Sequence, residues 1–139
     1  PDKEIMKSMN MTLTFLARSP ENLKKKIKYN NFDTFLKKFD KHKDSPFTVN
    51  NFESQLRAML KHNIFRNYNN SMKEATKAIK AKFFIIVCKQ DHLVYDKTAL
   101  DFAKIANAKI MVLNNDMGHL AVGVELKKVG EEIDKFLEN

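Results

Sequence analysis

Two residues with acid–base side chains each follow a short apolar run in the second half of the chain. Asp91 follows the run KFFIIVC, and His119 follows the run KIMVL and a short polar stretch. An imidazole can take a proton from a hydroxyl group and return it to a leaving group, while a carboxylate on its other nitrogen fixes its tautomer and orientation. Asp91 and His119 are therefore candidate residues for proton-transfer chemistry.

The elements that must position these residues are two predicted strands and the helix between them. Residues Lys82–Cys88 form a continuous apolar run, which is typical of a strand covered on both faces, and Lys109–Leu113 form a second such strand. The segment YDKTALDFAKIAN between them has the pattern of an amphipathic helix, so the strands should be parallel. Because ligands bind beyond the carboxyl ends of parallel strands, we expect Asp91 and His119 to converge at one rim of the sheet.

Each of the two residues also has an ordinary interpretation, and other acids and histidines lie nearby. A strand-end Asp often caps a loop, and a His after Gly is often a turn residue, so the hypothesis rests on the two occurring together. We expect His92 to face solvent or a loop, because consecutive residues of an extended segment do not point into one site. Asp96 and Asp116 are alternative acids, explained better as a helix cap and a turn residue.

No metal site or reactive cysteine is indicated. His42 and His62 fall in lysine-rich helical segments without ligand spacing. The single cysteine, Cys88, lies inside an apolar run and is expected to be a small buried hydrophobe. The serines all fall in predicted helices or at helix caps, and none lies on a tight strand-to-helix turn; they are Ser8, Ser19, Ser45, Ser54 and Ser71.

The first half of the chain has helical patterns only. Helix starts are indicated at Ser19, which precedes a proline and an acid, at Asn31, and at Ser71, which opens a capping-box sequence. The helix after Ser19 is expected to run to about Tyr29, and Ser45-Pro46 to break the pattern. Apolar stripes at helical spacing are interpreted as core; they are Ile5, Met6, Met9, Leu13 and Leu16, then Phe32, Phe35, Leu36 and Phe39, then Phe52, Leu56, Met59 and Leu60, and at the end of the chain Val124, Leu126, Val129, Ile133, Phe136 and Leu137.

Composition narrows the function classes. The 139 residues are 43% apolar, which predicts a globular chain, and no run of eighteen apolar residues indicates a membrane span. The net charge is +8, but only three of the 25 basic residues are arginine, and the lysines are scattered over the predicted helices. We do not expect nucleic-acid binding, because recognition of bases and phosphates relies on the arginine guanidinium. The cytoplasm is the expected location.

The stretch from Ile79 to Leu137 resembles the C-terminal end of an α/β-hydrolase-fold protein. KFFIIVCKQDHLV with Asp91 is similar to the segment that carries the triad acid, and KIMVLNNDMGHLA with His119 is similar to the segment that carries the triad histidine. Within that superfamily, IKAKFFIIVCKQDHLV and the preceding FESQLRAMLKHNIF are most similar to homoserine O-acetyltransferases and related acyltransferases. The resemblance implies small-molecule acyl donors and acceptors, with acyl-CoA as a candidate donor and no other cofactor or metal.

The resemblance also implies the domain organisation. Residues 1–79 would be a helical, lid-like segment, and residues 80–139 a β-α-β-α unit with parallel strands, which together make an incomplete α/β-hydrolase fold of the α/β class. Two strands alone do not make a stable sheet, and an unpaired strand edge needs a partner. The rest of the sheet could come from an N-terminal half of the same protein, from a separate chain, or from a second copy in a homodimer.

Two departures from the family pattern shape the functional hypothesis. The three glycines are Gly118, Gly123 and Gly130, so no G-x-S-x-G nucleophile elbow exists in this sequence. Leu120 stands where homoserine acetyltransferases usually follow their histidine with an aspartate that holds the substrate amine. We therefore expect a C-terminal portion of an acyltransferase that supplies acid and base but is inactive alone. The alternatives are an esterase or other hydrolase of the same fold, and a non-catalytic binding or assembly module.

Overall fold

A computed structural model describes residues 2–41 and 47–138 of the chain. The predicted break at Ser45 and Pro46, together with His42, lies outside the described residues. Within them, none of the helices has the length and apolar character of a membrane span.

The first half is helical, as its sequence pattern predicts. The helices are α1 (Asp2–Leu16), α2 (Pro20–Lys26), α3 (Phe32–Leu36), α4 (Val49–Lys61) and α5 (Met72–Lys77), with 3-10 turns at Tyr29–Asn31, Lys37–Lys41 and Arg66–Tyr68. Predicted caps are present at Ser19 and Ser71, whose hydroxyl oxygens accept from the N–H groups of Asn22 and Glu74. Asn31 precedes α3 but makes no capping hydrogen bond with its side chain. The α2 helix ends at Lys26, before the expected Tyr29, because Ile27 adopts an extended conformation.

The second half contains the predicted β-α-β-α unit. Its elements are β1 (Phe84–Cys88), α6 (Asp96–Ile105), β2 (Lys109–Leu113), the short α7 (Ala121–Val124) and α8 (Leu126–Leu137), with a 3-10 turn at Gly118–Leu120. The strands pair in parallel, with Phe84 opposite Lys109 and Cys88 opposite Leu113. Their carboxyl ends therefore lie side by side, and the chain leaves them toward the loops that carry Asp91 and His119.

The core lies on one face of this two-stranded sheet. Cys88, Leu113, Ala121 and Val129 are buried together, and Ile86 and Met111 pack against them. The buried cysteine agrees with its interpretation as a small hydrophobe. In the helical half, three phenylalanines form a chain of edge-to-face ring contacts, with centroids 5.9 Å apart for Phe15 and Phe35 and 5.3 Å for Phe35 and Phe39.

The expectation that both strands are covered on both faces is wrong for β2. Ile110 and Val112 are 39% and 40% exposed, whereas Met111 and Leu113 on the opposite face pack into the core. An apolar run shows that a strand can be buried on two sides, but the cover must come from another element. The described residues cover only one face of β2 well.

Two apolar stripes interpreted as core are also largely exposed. Leu56, Met59 and Leu60 on α4 are 43%, 64% and 87% exposed. At the end of the chain Val124, Leu126 and Leu137 are exposed, although Val129 is buried. Helical periodicity predicts which side chains share a face, but it does not determine whether another element packs on that face.

Candidate acid–base site

Asp91 lies in the turn that follows β1. Its backbone N–H donates to the carbonyl of Cys88, the last residue of the strand, over 3.2 Å. One carboxylate oxygen, Oδ1, accepts from the N–H groups of Leu93 and Val94 at 2.9 and 2.8 Å. This local pattern is typical of an aspartate that orders its own turn. It fixes the carboxylate and leaves the other oxygen, Oδ2, for a second partner.

The second partner of Asp91 is His119. Nδ1 of the imidazole lies 2.9 Å from Oδ2 of Asp91, although the residues are 28 positions apart. The histidine reaches this position from the 3-10 turn after β2, where its own N–H donates to the carbonyl of Ala17 over 3.0 Å. The structure thus brings together the two residues that the sequence predicts at the ends of neighbouring strands.

This contact sets the state of the imidazole ring. A neutral imidazole that donates Nδ1–H to a carboxylate carries its free lone pair on Nε2. Within residues 2–41 and 47–138, the imidazole has no hydrogen-bond partner besides Asp91. The His119 side chain is 41% exposed and that of Asp91 is 13% exposed. Nε2 is therefore free to accept a proton from an incoming group.

The carboxylate remains ionised over a wide pH range. Partial burial raises the pKa of Asp91, but hydrogen bonds from the Val94 N–H, the His119 imidazole and the Leu93 N–H together outweigh it, so that the pKa is lower than its ordinary value of 3.8. A carboxylate in this state accepts a hydrogen bond from Nδ1–H, remains ionised, and stabilises the imidazolium that forms when Nε2 takes up a proton.

The pair opens into a cavity of about 270 Å³. Asp91 and His119 line it together with residues from both strands, from the start of α6 and from α7, among them Val87, Ala99 and Val122. A larger apolar groove of about 520 Å³ shares Val94, Tyr95 and Ala99 with this cavity and continues toward Phe65. A small molecule could therefore reach Asp91 and His119 from the cavity and from the apolar groove that adjoins it.

The neighbouring candidates occupy different places. His92 is exposed, as expected. The expectation that Asp96 caps α6 is wrong, because Asp96 is the first residue of that helix and Tyr95 precedes it without a capping side chain. Asp96 instead lines the cavity, which the sequence did not indicate. Asp116 does more than form a turn, because its carboxylate accepts from the side chains of Asn22 and Lys25.

No described residue set forms a metal site, and none of the described serines makes a hydrogen bond to the imidazole of His119. Groups of three or more His, Cys, Asp or Glu side chains that could hold a metal ion are absent from residues 2–41 and 47–138. Ser8 and Ser54 lie within α1 and α4, and the hydroxyl groups of Ser19 and Ser71 cap helices. His62 follows α4 and lines the apolar groove. Ser45 lies outside the described residues.

Comparison with known proteins identifies a structural neighbour. No family model matches the sequence, and no curated protein matches it. The solved structure of the acetyl esterase MekB is similar, with a TM-score of 0.67 and 20% sequence identity over 83% of this chain. The similar region is 35% of the esterase chain, so this chain spans about a third of its neighbour's length. At this identity the similarity shows the fold, which is a partial α/β-hydrolase-like fold, mostly helical with a two-stranded parallel sheet.

Proposed function

We propose that Asp91 and His119 are the acid and base of a Ser-His-Asp triad that cleaves or transfers small acyl groups. The observation that carries this proposal is the 2.9 Å contact between Nδ1 of His119 and Oδ2 of Asp91, beside a cavity at the carboxyl ends of parallel strands. An exposed ion pair without a cavity would serve only stability. Here the Asp91 side chain is 13% exposed, and the His119 side chain is 41% exposed beside the cavity.

The chemistry follows from this arrangement. His119 Nε2 takes the proton of a serine hydroxyl as its oxygen forms a bond to the carbonyl carbon of an ester. The tetrahedral intermediate collapses, the bond to the alcohol oxygen breaks, and the imidazolium returns the proton to that oxygen. The acyl-enzyme then reacts with water or with a second alcohol, again with His119 as base. The carboxylate of Asp91 stabilises the imidazolium in both halves of the reaction.

The serine is supplied by a segment other than these 139 residues. The sequence contains no G-x-S-x-G elbow, and the described serines are helical or cap helices. The open edge of a two-stranded sheet provides the place for more strands. We propose that an N-terminal part of the same polypeptide, or a companion chain, brings the nucleophile and completes the sheet. In this arrangement residues 1–79 form the lid-like segment and residues 80–139 the C-terminal part of the hydrolase domain.

Two acyl acceptors are considered, water and an alcohol. Hydrolysis is the simpler reaction and is supported by the esterase neighbour. Transfer to an alcohol, with acyl-CoA as the donor, is supported by the resemblance of FESQLRAMLKHNIF and IKAKFFIIVCKQDHLV to homoserine O-acetyltransferases and related acyltransferases. Leu120 differs from the aspartate of those enzymes, so a transferase of this kind should accept an alcohol without a recognised amine.

The test uses the polypeptide that contains these residues together with its nucleophile segment. Hydrolysis of p-nitrophenyl acetate is measured for the wild type, for His119→Gln, and for His92→Gln as the matched control. Loss of the base should lower kcat by about 10³-fold or more, as in other triads. The exposed neighbour His92 should be replaceable within about twofold. Equal activity of the His119 and His92 variants would refute the role proposed for His119.

Acyl transfer is tested in the same protein. Acetyl-CoA is supplied with homoserine or with a simple alcohol, and O-acetylated product is compared with free acetate. More product than acetate supports the acyltransferase. Release of acetate alone, with both acceptors, leaves the esterase as the function.

A further inference from the structure

The loop that presents His119 is held by the helical first half of the chain. Asp116 and Met117 precede the histidine turn, and both contact Asn22 on α2, which is 94 residues away from Asp116 in sequence. The Asn22 side-chain amide donates to Oδ1 of Asp116 over 3.1 Å and lies 3.2 Å from Sδ of Met117. This contact joins the lid-like segment to the acid–base site.

Asn22 is built into this position. The residue is only 4% exposed, and its side-chain oxygen accepts from the guanidinium of Arg18 over 3.3 Å. Its backbone N–H donates to the hydroxyl oxygen of Ser19, which is fully buried. A buried amide with both ends satisfied is costly to replace, because its removal leaves polar partners without hydrogen bonds.

Backbone contacts extend the connection to the histidine itself. The N–H of Ser19 donates to the carbonyl of Asp116 over 3.3 Å, and the N–H of His119 donates to the carbonyl of Ala17 over 3.0 Å. The turn between α1 and α2 therefore holds the loop at two points, on either side of Met117. Lys25 adds an ion pair to the second oxygen of Asp116 at 2.6 Å.

We propose that Asn22 is a positioning residue, which through Asp116 and Met117 holds the imidazole of His119 against Asp91. This inference deepens the proposed function, because it gives residues 1–79 a part in orienting the general base. Asn22 makes no hydrogen bond to the imidazole, so it acts on the orientation and the tautomer of the ring through the loop that carries it. A residue that only stabilised α2 would leave the ring unaffected.

The experiment reads the tautomer of His119 directly, without any measurement of activity. Long-range ¹H–¹⁵N correlation spectra of the imidazole rings are recorded on the 139-residue chain at about pH 8, where an ordinary histidine is neutral. The His119→Gln variant assigns the signals, and Asp91→Ala, which has no side-chain group able to hydrogen-bond to Nδ1, gives the reference pattern of an unheld ring. The wild type should show the Nδ1–H tautomer. Asn22→Ala should lose that pattern and move toward the Asp91→Ala reference.

A pair of exchanged residues provides the rescue. Asn22→Asp alone places two carboxylates opposite each other and should lose the wild-type pattern. The double variant Asn22→Asp with Asp116→Asn restores one donor and one acceptor across the contact, and should regain the pattern. The control is Asn30→Ala, an exposed asparagine in the turn after α2, which should leave the ring unchanged.

Each outcome decides the matter. Asn22→Ala and Asn22→Asp chains that fold and keep the wild-type tautomer would overturn the proposal, as would an exchanged pair that folds with an unheld ring. If Asn22→Ala does not fold, the exchanged pair decides alone. If neither Asn22→Ala nor the exchanged pair folds while Asn30→Ala does, Asn22 has a purely structural role and the proposal is also overturned. Absence of both ester hydrolysis and acyl transfer in the preceding tests would refute the proposed function but leave these spectra unaffected.

Discussion

Gly118 packs closely against the backbone of Gln90, so that the loop carrying His119 contacts the loop carrying Asp91. A β-carbon at Gly118 would lie 2.9 Å from the carbonyl oxygen of Gln90 and 3.0 Å from that of Ala17. The residue also has a φ of +61°, which glycine adopts without strain. The close approach of the two loops therefore depends on the absence of a side chain directly before His119.

Substitution of Gly118 by alanine should destabilise the protein. The new methyl group meets two backbone oxygens, which cannot rotate away, and the left-handed backbone adds strain. We expect a loss of about 1–3 kcal/mol in the free energy of unfolding, measured by urea denaturation. Gly130→Ala is the matched control, because Gly130 lies inside α8 with open space at its β-carbon. That variant should gain up to about 1 kcal/mol. Equal changes in the free energy of unfolding for the two variants would contradict the proposed close packing at Gly118.

Acid should weaken the contact between β2 and α8. Glu132 pairs with Lys135 and with Lys109, at 2.8 and 2.9 Å, and these hydrogen bonds lower its pKa from 4.5 to about 2. A carboxyl group whose pKa is lower in the folded state than in the unfolded state stabilises the fold at a pH above its unfolded-state pKa. This stabilisation is lost as the pH falls through its folded-state pKa. The unfolding free energy of the wild type should therefore decrease between about pH 4.5 and pH 2.

The variant Glu132→Gln separates this contribution from those of other carboxyl groups. It cannot ionise at position 132, so its unfolding free energy should fall less steeply than that of the wild type in the same interval. Urea titrations at pH 5, 4 and 3 provide the comparison. Parallel pH profiles for the two proteins would show that the Lys109–Glu132 pair does not couple to folding.

The uncovered face of β2 should make the chain associate. Ile110 and Val112 form part of an exposed apolar surface on a two-stranded sheet whose outer edges are open in the described part of the chain. Exposed apolar surfaces and open strand edges normally bind another protein surface. Light scattering of the 139-residue chain should give a mass that rises with concentration, and Ile110→Lys should reduce the rise. Ile5→Lys, at a similarly exposed position on α1, is the control and should not. A constant monomer mass for the wild type would exclude self-association through this face.

The sequence predicts the acid–base pair because both residues follow recognisable strands. The β2 strand matches its predicted range, Lys109–Leu113, and β1 starts two residues later than the apolar run, at Phe84. Phe83 instead packs its ring against Phe102, with centroids 5.3 Å apart. Once two strands are parallel, their carboxyl ends lie at one edge, so topology brings the loops of Asp91 and His119 to the same rim of the sheet.

The support from the helical half could not be predicted in the same way. Ser19 is recognisable as a helix cap, but nothing in the local pattern shows that its N–H reaches Asp116 or that Asn22 contacts the same residue. These are single contacts across more than 90 residues, and they leave no periodicity in the sequence. The exposed stripe on α4 was mispredicted for a related reason, because periodicity defines a face without showing what covers it.

The central claim is that Asp91 and His119 act as one unit on the proton of a nucleophile. The most direct test is a double-mutant cycle with Asp91→Asn and His119→Gln in the polypeptide that contains the nucleophile, using kcat/KM for p-nitrophenyl acetate. If Asp91 acts only through the imidazole, the double variant should be no slower than His119→Gln alone, because residues of one catalytic unit are not additive. If the fold-reductions in kcat/KM of the two single variants multiply in the double variant, Asp91 and His119 act independently and the central claim is wrong.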